Sequence, residues 1–147
     1  PANLEGSKVV ASVDADSLET DFPDPARLDF NAVLKGATWL NVAQFPRMEF
    51  ESSRIDVTGR HTMRIHGNLT LHGVTRPIVL EAVFNGGYAG HPMDPNARIG
   101  FSAQATLKRS EFGIAYGIPA PGTTMGVSDE VNVVIEAEFT GPPLAPR

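Results

Sequence analysis

A chain of 147 residues with 41% hydrophobic and 20% charged residues is long enough to bury a single core and too apolar for disorder. A net charge of -5, with basic residues scattered rather than clustered, excludes a nucleic-acid backbone as partner. The absence of Cys removes disulfides, thiolate catalysis and Cys-based metal sites, and no run of 18 apolar residues is present to form a membrane helix. The 14 Gly and 12 Pro favour a fold rich in turns.

In chain order, Lys8 to Asp14 reads as a first strand, followed by Asp14, Asp16 and Ser17. Those two carboxylates lack the Gly and distant Glu of a calcium loop and are read as strand-end turn residues. Asp24-Pro25 has the form of a helix N-cap with Pro at the first helical position, and Leu28, Ala32 and Val33 recur near helical spacing. The segment from 25 to 41 is therefore expected to hold one or two short helices, ending before Phe45-Pro46. Glu49 to Thr58 reads as a second strand, and Thr58-Gly59-Arg60 as a hairpin turn.

Beyond this point the dominant period is two. Met63, Ile65, Gly67, Leu69 and Leu71 share one face, with Thr62, Arg64, His66, Asn68 and Thr70 on the other. The alternation recurs at Ile78, Leu80, Ala82 and Phe84, at Ile99, Phe101, Ala103, Ala105 and Leu107, and at Val131, Val133, Ile135, Ala137 and Phe139. Such alternation marks strands with one dry and one wet face. His72 to Pro77 is expected to connect two of them as a turn or kinked corner. Asn85-Gly86-Gly87 with Gly90-His91-Pro92 is read as a longer loop. At least six strands follow, in one all-β, antiparallel domain spanning 1–147. Periodicity alone leaves a sandwich and a barrel equally open, and it favours a filled core over a cavity.

The motifs that would carry chemistry are missing. There is no G-x-S-x-G, no H-E-x-x-H and no Gly-rich phosphate loop. His61, His66, His72 and His91 are spaced without a metal-ligand pattern, so no metal is expected. Asn68-Leu69-Thr70 matches a glycosylation sequon, yet it sits within a strand.

One series of motifs is distinctive: Ser17-Leu18-Glu19-Thr20, Thr38-Trp39-Leu40-Asn41-Val42 leading to Phe45-Pro46, Phe50-Glu51-Ser52, Gly67 to Pro77, and Arg109-Ser110-Glu111-Phe112-Gly113-Ile114. In this order it resembles the YceI-like family of bacterial polyisoprenoid-binding proteins, over about Lys8 to Phe139. The resemblance implies a lipocalin-like β-barrel of about eight strands with an apolar tunnel, a periplasmic location, and no enzymatic activity. It implies no cofactor beyond a bound isoprenoid or quinone-like lipid. The tunnel residues it points to are Trp39, Phe50, Met63, Ile65, Leu69, Leu71, Leu80, Phe84, Phe101, Ala103, Phe112, Val133 and Ile135. Arg76 and Arg109 are candidates for an anionic head group, against the commoner fate of pairing with surface carboxylates. Trp39 and Phe45 either roof the pocket or anchor the helical insert.

Two departures from the family pattern stand out. By the family pattern further strands precede the region of Lys8, so the sequence is expected to start in mid-barrel, its open edges covered either by strands outside this sequence or by a second copy in a homodimer. From Phe22 to Gly36 the family's usual acidic and basic residues ahead of the helix are replaced by a longer, Pro-containing stretch. Two rival readings accompany the lipid carrier: a β-sheet interaction module that binds a protein through an open edge, and an enzyme acting on a lipophilic substrate.

Overall fold

The computed structural model describes residues 4–21 and 26–144. Six strands, β1 (Val10–Asp14), β2 (Arg47–Val57), β3 (Thr62–Leu71), β4 (Val74–Tyr88), β5 (Ala97–Lys108) and β6 (Glu130–Gly141), form one antiparallel sheet in chain order. The sheet curls into a half-barrel. Its two ends, β1 and β6, are not paired with each other among the described residues, so the closed barrel of about eight strands is replaced here by an open six-stranded one.

Register explains why the period-two pattern was legible. Phe50 pairs with Leu69, Ile55 with Ile65, Ile65 with Leu80, Met63 with Ala82, Phe84 with Phe101, and Ala103 with Ile135. Directly opposed residues in an antiparallel sheet share a face, so all four apolar sets lie on one side. A slip of one residue would expose every one of them to water. On this inner face Phe50, Ile55, Met63, Ile65, Leu80 and Ala82 form one buried cluster, against which Leu4 and Val9 also pack. Leu71, Leu107, Phe112 and Ile114 form a second, covered by Trp39 and Leu40.

The connections differ from the sequence reading in three places. The β3–β4 turn is only His72-Gly73, both with positive φ (54° and 71°), as a two-residue hairpin of the primed type requires. A Cβ at Gly73 would come within 2.5 Å of the Phe45 ring, so glycine admits both the turn and the ring. Pro77 consequently lies inside β4 and not at a corner. Asn85-Gly86-Gly87 likewise belongs to β4, where the register shifts between Phe84 and Gly86. Gly86, at φ 121°, absorbs that bulge, and the loop shrinks to residues 89–96.

The helical insert is also shorter than expected. The helix α1 covers Phe30–Lys35 and is capped by Asp29, whose Oδ1 accepts from the Ala32 N–H at 3.0 Å. Asp24 and Pro25 lie outside the described residues. From Gly36 to Phe45 the chain continues in turns, with Asn41 N–H to Gly36 O and Phe45 N–H to Asn41 O. A 3₁₀ turn at Ala15–Ser17 begins on Asp14, whose side chain accepts from the Asp16 N–H. This bears out the turn role of the Asp14/Asp16 pair.

Candidate ligand-binding site

The expected tunnel residues fall into two groups. Phe50, Met63, Ile65 and Leu80 are buried in the first cluster, and Leu71 and Phe112 in the second. Leu69 and Trp39 are partly buried against that second cluster. These side chains fill the β2–β3 half and the capped end. The remaining group lies toward β6: Phe84, Phe101, Ala103 and Val133 are half-buried, while Ile135 is 36% exposed and its inner-face neighbour Phe139 45%. Phe84, Phe101 and Phe139 stack across three strands, with ring centroids 5.4 and 5.9 Å apart, in the tilted and edge-on geometries aromatic pairs favour. The inner face is thus packed at one side and open at the other.

The capped end is organised by Arg109. Only 5% exposed, it donates through Nε to Ser128 O (2.9 Å), through Nη1 to Ile114 O (2.9 Å) and Tyr116 O (2.7 Å), and through Nη2 to Val127 O (2.7 Å). Its guanidinium lies 5.0 Å from the Trp39 ring centroid, and Trp39 meets Tyr116 edge-on at 5.5 Å. Four of its five N–H donors are therefore spent on the 113–129 loop. Arg109 positions that loop, and the head-group candidacy passes to Arg76. Trp39 both covers the second cluster and anchors the insert. His72 joins this end too: its Nδ1 bonds Phe112 O at 3.0 Å, its ring tilts against Phe45, and its Nε2 is buried without a partner among the described residues.

Arg76 sits differently. Its Nε donates to Glu111 O at 3.2 Å, and among the described residues its two Nη groups have no partner. It lies beside an opening in the sheet. β4 pairs with β5 only from Glu81 to Tyr88, while β3 pairs with β4 along its whole length and β5 with β6 up to Lys108. Between the unpaired stretches is a pocket of about 600 Å³. Ile78, Gly67, Leu107 and Phe112 meet it from the inner face, and Arg54, His66, Pro77 and Thr106 from the outer. The sequence reading found Arg76 but missed the opening, although Pro77 within an alternating strand was its signal. Phe84 N–H points to His61 O, on the β3 side, so by alternation the Pro77 nitrogen faces β5. With no N–H there, a ladder hydrogen bond is lost.

On the outer face Arg54 and His66 both contact Asp56, at 3.0 and 2.9 Å. These bonds hold the Asp56 carboxyl below its ordinary range, against a desolvation that pushes it the other way. At the far end Asp94 accepts from Tyr88 Oη and pairs with Arg98, which holds its carboxyl down to about 2. Among the described residues no three His, Asp or Glu converge as metal ligands, and no helix is long and apolar enough to cross a membrane.

An open, all-antiparallel half-barrel with an apolar inner face defines a lipocalin-like protein. The comparisons then fix its family. The model of the YceI-like domain matches residues 1–139, and the chain belongs to that family. It is 36% identical over 130 residues to a UPF0312 protein of Pseudomonas savastanoi pv. phaseolicola, an alignment covering 87% of this chain and 61% of the relative. A UPF0312 protein of Azotobacter vinelandii is 34% identical over 139 residues, 92% of this chain and 67% of that protein. The chain thus spans about three fifths to two thirds of the length of these relatives. The YceI protein of Campylobacter jejuni superposes with a TM-score of 0.75 at 25% identity, over 91% of this chain and 72% of that one. Burkholderia cenocepacia BcnA shares the fold, with a TM-score of 0.76 at 22% identity over 95% of this chain and 79% of its own.

Proposed function

We propose that this protein holds a long apolar isoprenoid lipid, of polyprenyl or quinone type, against the inner face of its sheet. The observation that carries this reading is the unfilled half of that face. After the core has packed on β2 and β3, the side chains of Phe84, Phe101, Ala103, Ile135 and Phe139 still present apolar surface on the same side. At roughly 25 cal/mol per Å², covering about 400 Å² there supplies on the order of 10 kcal/mol before ordering costs. Carriage or storage needs no reactive group, and family membership supports a periplasmic setting.

The test is to fill the space. Ala103, opposed by Ala82 and Ile135, becomes Trp in Ala103→Trp. Calorimetric titration with geranylgeraniol is expected to show one site in the parent protein and at least about tenfold weaker binding in the variant, with circular dichroism unchanged. Equal affinity in a folded variant would exclude the inner face as the site.

A second reading rests on the unpaired edges of β1 and β6, which are templates for strand addition. It predicts a stable homodimer or strand-captured complex in sedimentation, insensitive to removal of lipid. A monomer at micromolar concentration would contradict it.

A further inference from the structure

We infer that the split between β4 and β5 seats the ligand's head group: a singly charged anionic head lies between the strands against Arg76, with its tail on the inner face. This rests on the lipid-binding reading and adds to it the head-group class and a lateral seat within the sheet.

Three observations converge. First, the split is built into the chain. β4 and β5 part below Glu81↔Gln104 while each keeps its other neighbour, and within that stretch Pro77 presents a nitrogen without a hydrogen toward β5. Second, residues of both faces line the pocket of about 600 Å³, Ile78 from the inner and Pro77, Val79 and Thr106 from the outer. Ile78, Leu107 and Phe112 give it an apolar inner wall that continues the dry face. An amphiphile can therefore keep its tail inside while its head reaches water between the strands. Third, the charge is arranged for one anion. Arg76 is tethered through Nε to Glu111 O, which fixes the guanidinium while leaving both Nη groups to a ligand. Such a fork suits a carboxylate or a phosphate oxygen pair. The other guanidinium in the lining, Arg54, is already matched by Asp56. Glu111 adds a carboxylate to the same wall and so disfavours a head with two or more charges.

Titration calorimetry of the whole chain tests this with geranylgeranoic acid, geranylgeraniol, geranylgeranyl diphosphate and acetate. Arg76→Ala is compared with Arg60→Ala, a guanidinium in the β2–β3 turn at the opposite end. The acid is expected to bind about tenfold more tightly than the alcohol. Arg76→Ala is expected to erase that difference while leaving the alcohol unchanged, and Arg60→Ala to preserve it. Acetate, lacking a tail, is expected not to bind. Equal binding of acid and alcohol, or a preference abolished by Arg60→Ala instead, overturns the lateral seat while leaving the lipid reading intact. Tightest binding of the diphosphate overturns the single-charge assignment, and acetate binding as tightly as the acid overturns the amphiphile. Failure of all three lipids to bind removes the lipid reading and this inference together.

Discussion

Arg109 shows how one side chain can hold a seventeen-residue connection. Its guanidinium gathers the carbonyls of Ile114, Tyr116, Val127 and Ser128 and closes over Trp39. Removing it leaves the buried Ile114 carbonyl without its donor and frees three part-buried ones. Arg109→Met is expected to lower unfolding stability by about 3 kcal/mol, measured by urea denaturation, and to admit protease within 113–127. An unchanged midpoint would show that the carbonyls find other donors. Gly67 poses the opposite constraint. A Cβ there would approach Glu51 O to 2.5 Å and collide with the Phe50 ring, so Gly67→Ala is expected to cost on the order of 1–3 kcal/mol.

At the scale of elements, β4 decides the architecture. Residues 74–80 pair only with β3, residues 81–83 with both β3 and β5, and the end to Tyr88 only with β5, past a glycine bulge. The loop that follows, 89–96, is held by Asp94 through Tyr88, Arg98 and the Asn96 N–H. Because the folded Asp94 carboxyl sits near 2, below the ordinary 3.8, its bonds favour the folded loop above about pH 4. That contribution is lost as pH falls through 2. The stability difference between the parent and Asp94→Asn is therefore expected to shrink between pH 4 and pH 2, read from thermal midpoints. A constant difference across that range would contradict the assignment.

The strands were legible because alternation over ten residues has one physical cause, a sheet with one dry face, and Met63 to Leu71 obeys it without exception. The connections were less so. Pro77 and Gly86 have the composition of turns, yet both sit in β4: one paired with Asn68 of β3 where β5 no longer pairs, the other in a bulge. The helix began at Phe30 because Asp29 caps it, a signal as local as Asp24-Pro25 and no stronger in the sequence. Arg109 looked like a surface cation, since nothing in a linear pattern shows that four carbonyls will converge on it.

For the whole molecule, the determining feature is asymmetry. A dry face shared by β2 to β6 is filled over β2 and β3, capped at one end by Trp39, Phe112 and Ile114, and open toward β6. The same openness exposes two strand edges, and the chain spans only part of its YceI-like relatives. The account stands on the claim that the open half receives a lipid. Native mass spectrometry of the purified protein, before and after incubation with geranylgeraniol, tests it most directly. A one-to-one adduct that organic solvent releases, and that a folded Ala103→Trp variant does not form, is the predicted result. A folded protein that shows no adduct, or an adduct that Ala103→Trp forms equally well, would contradict it.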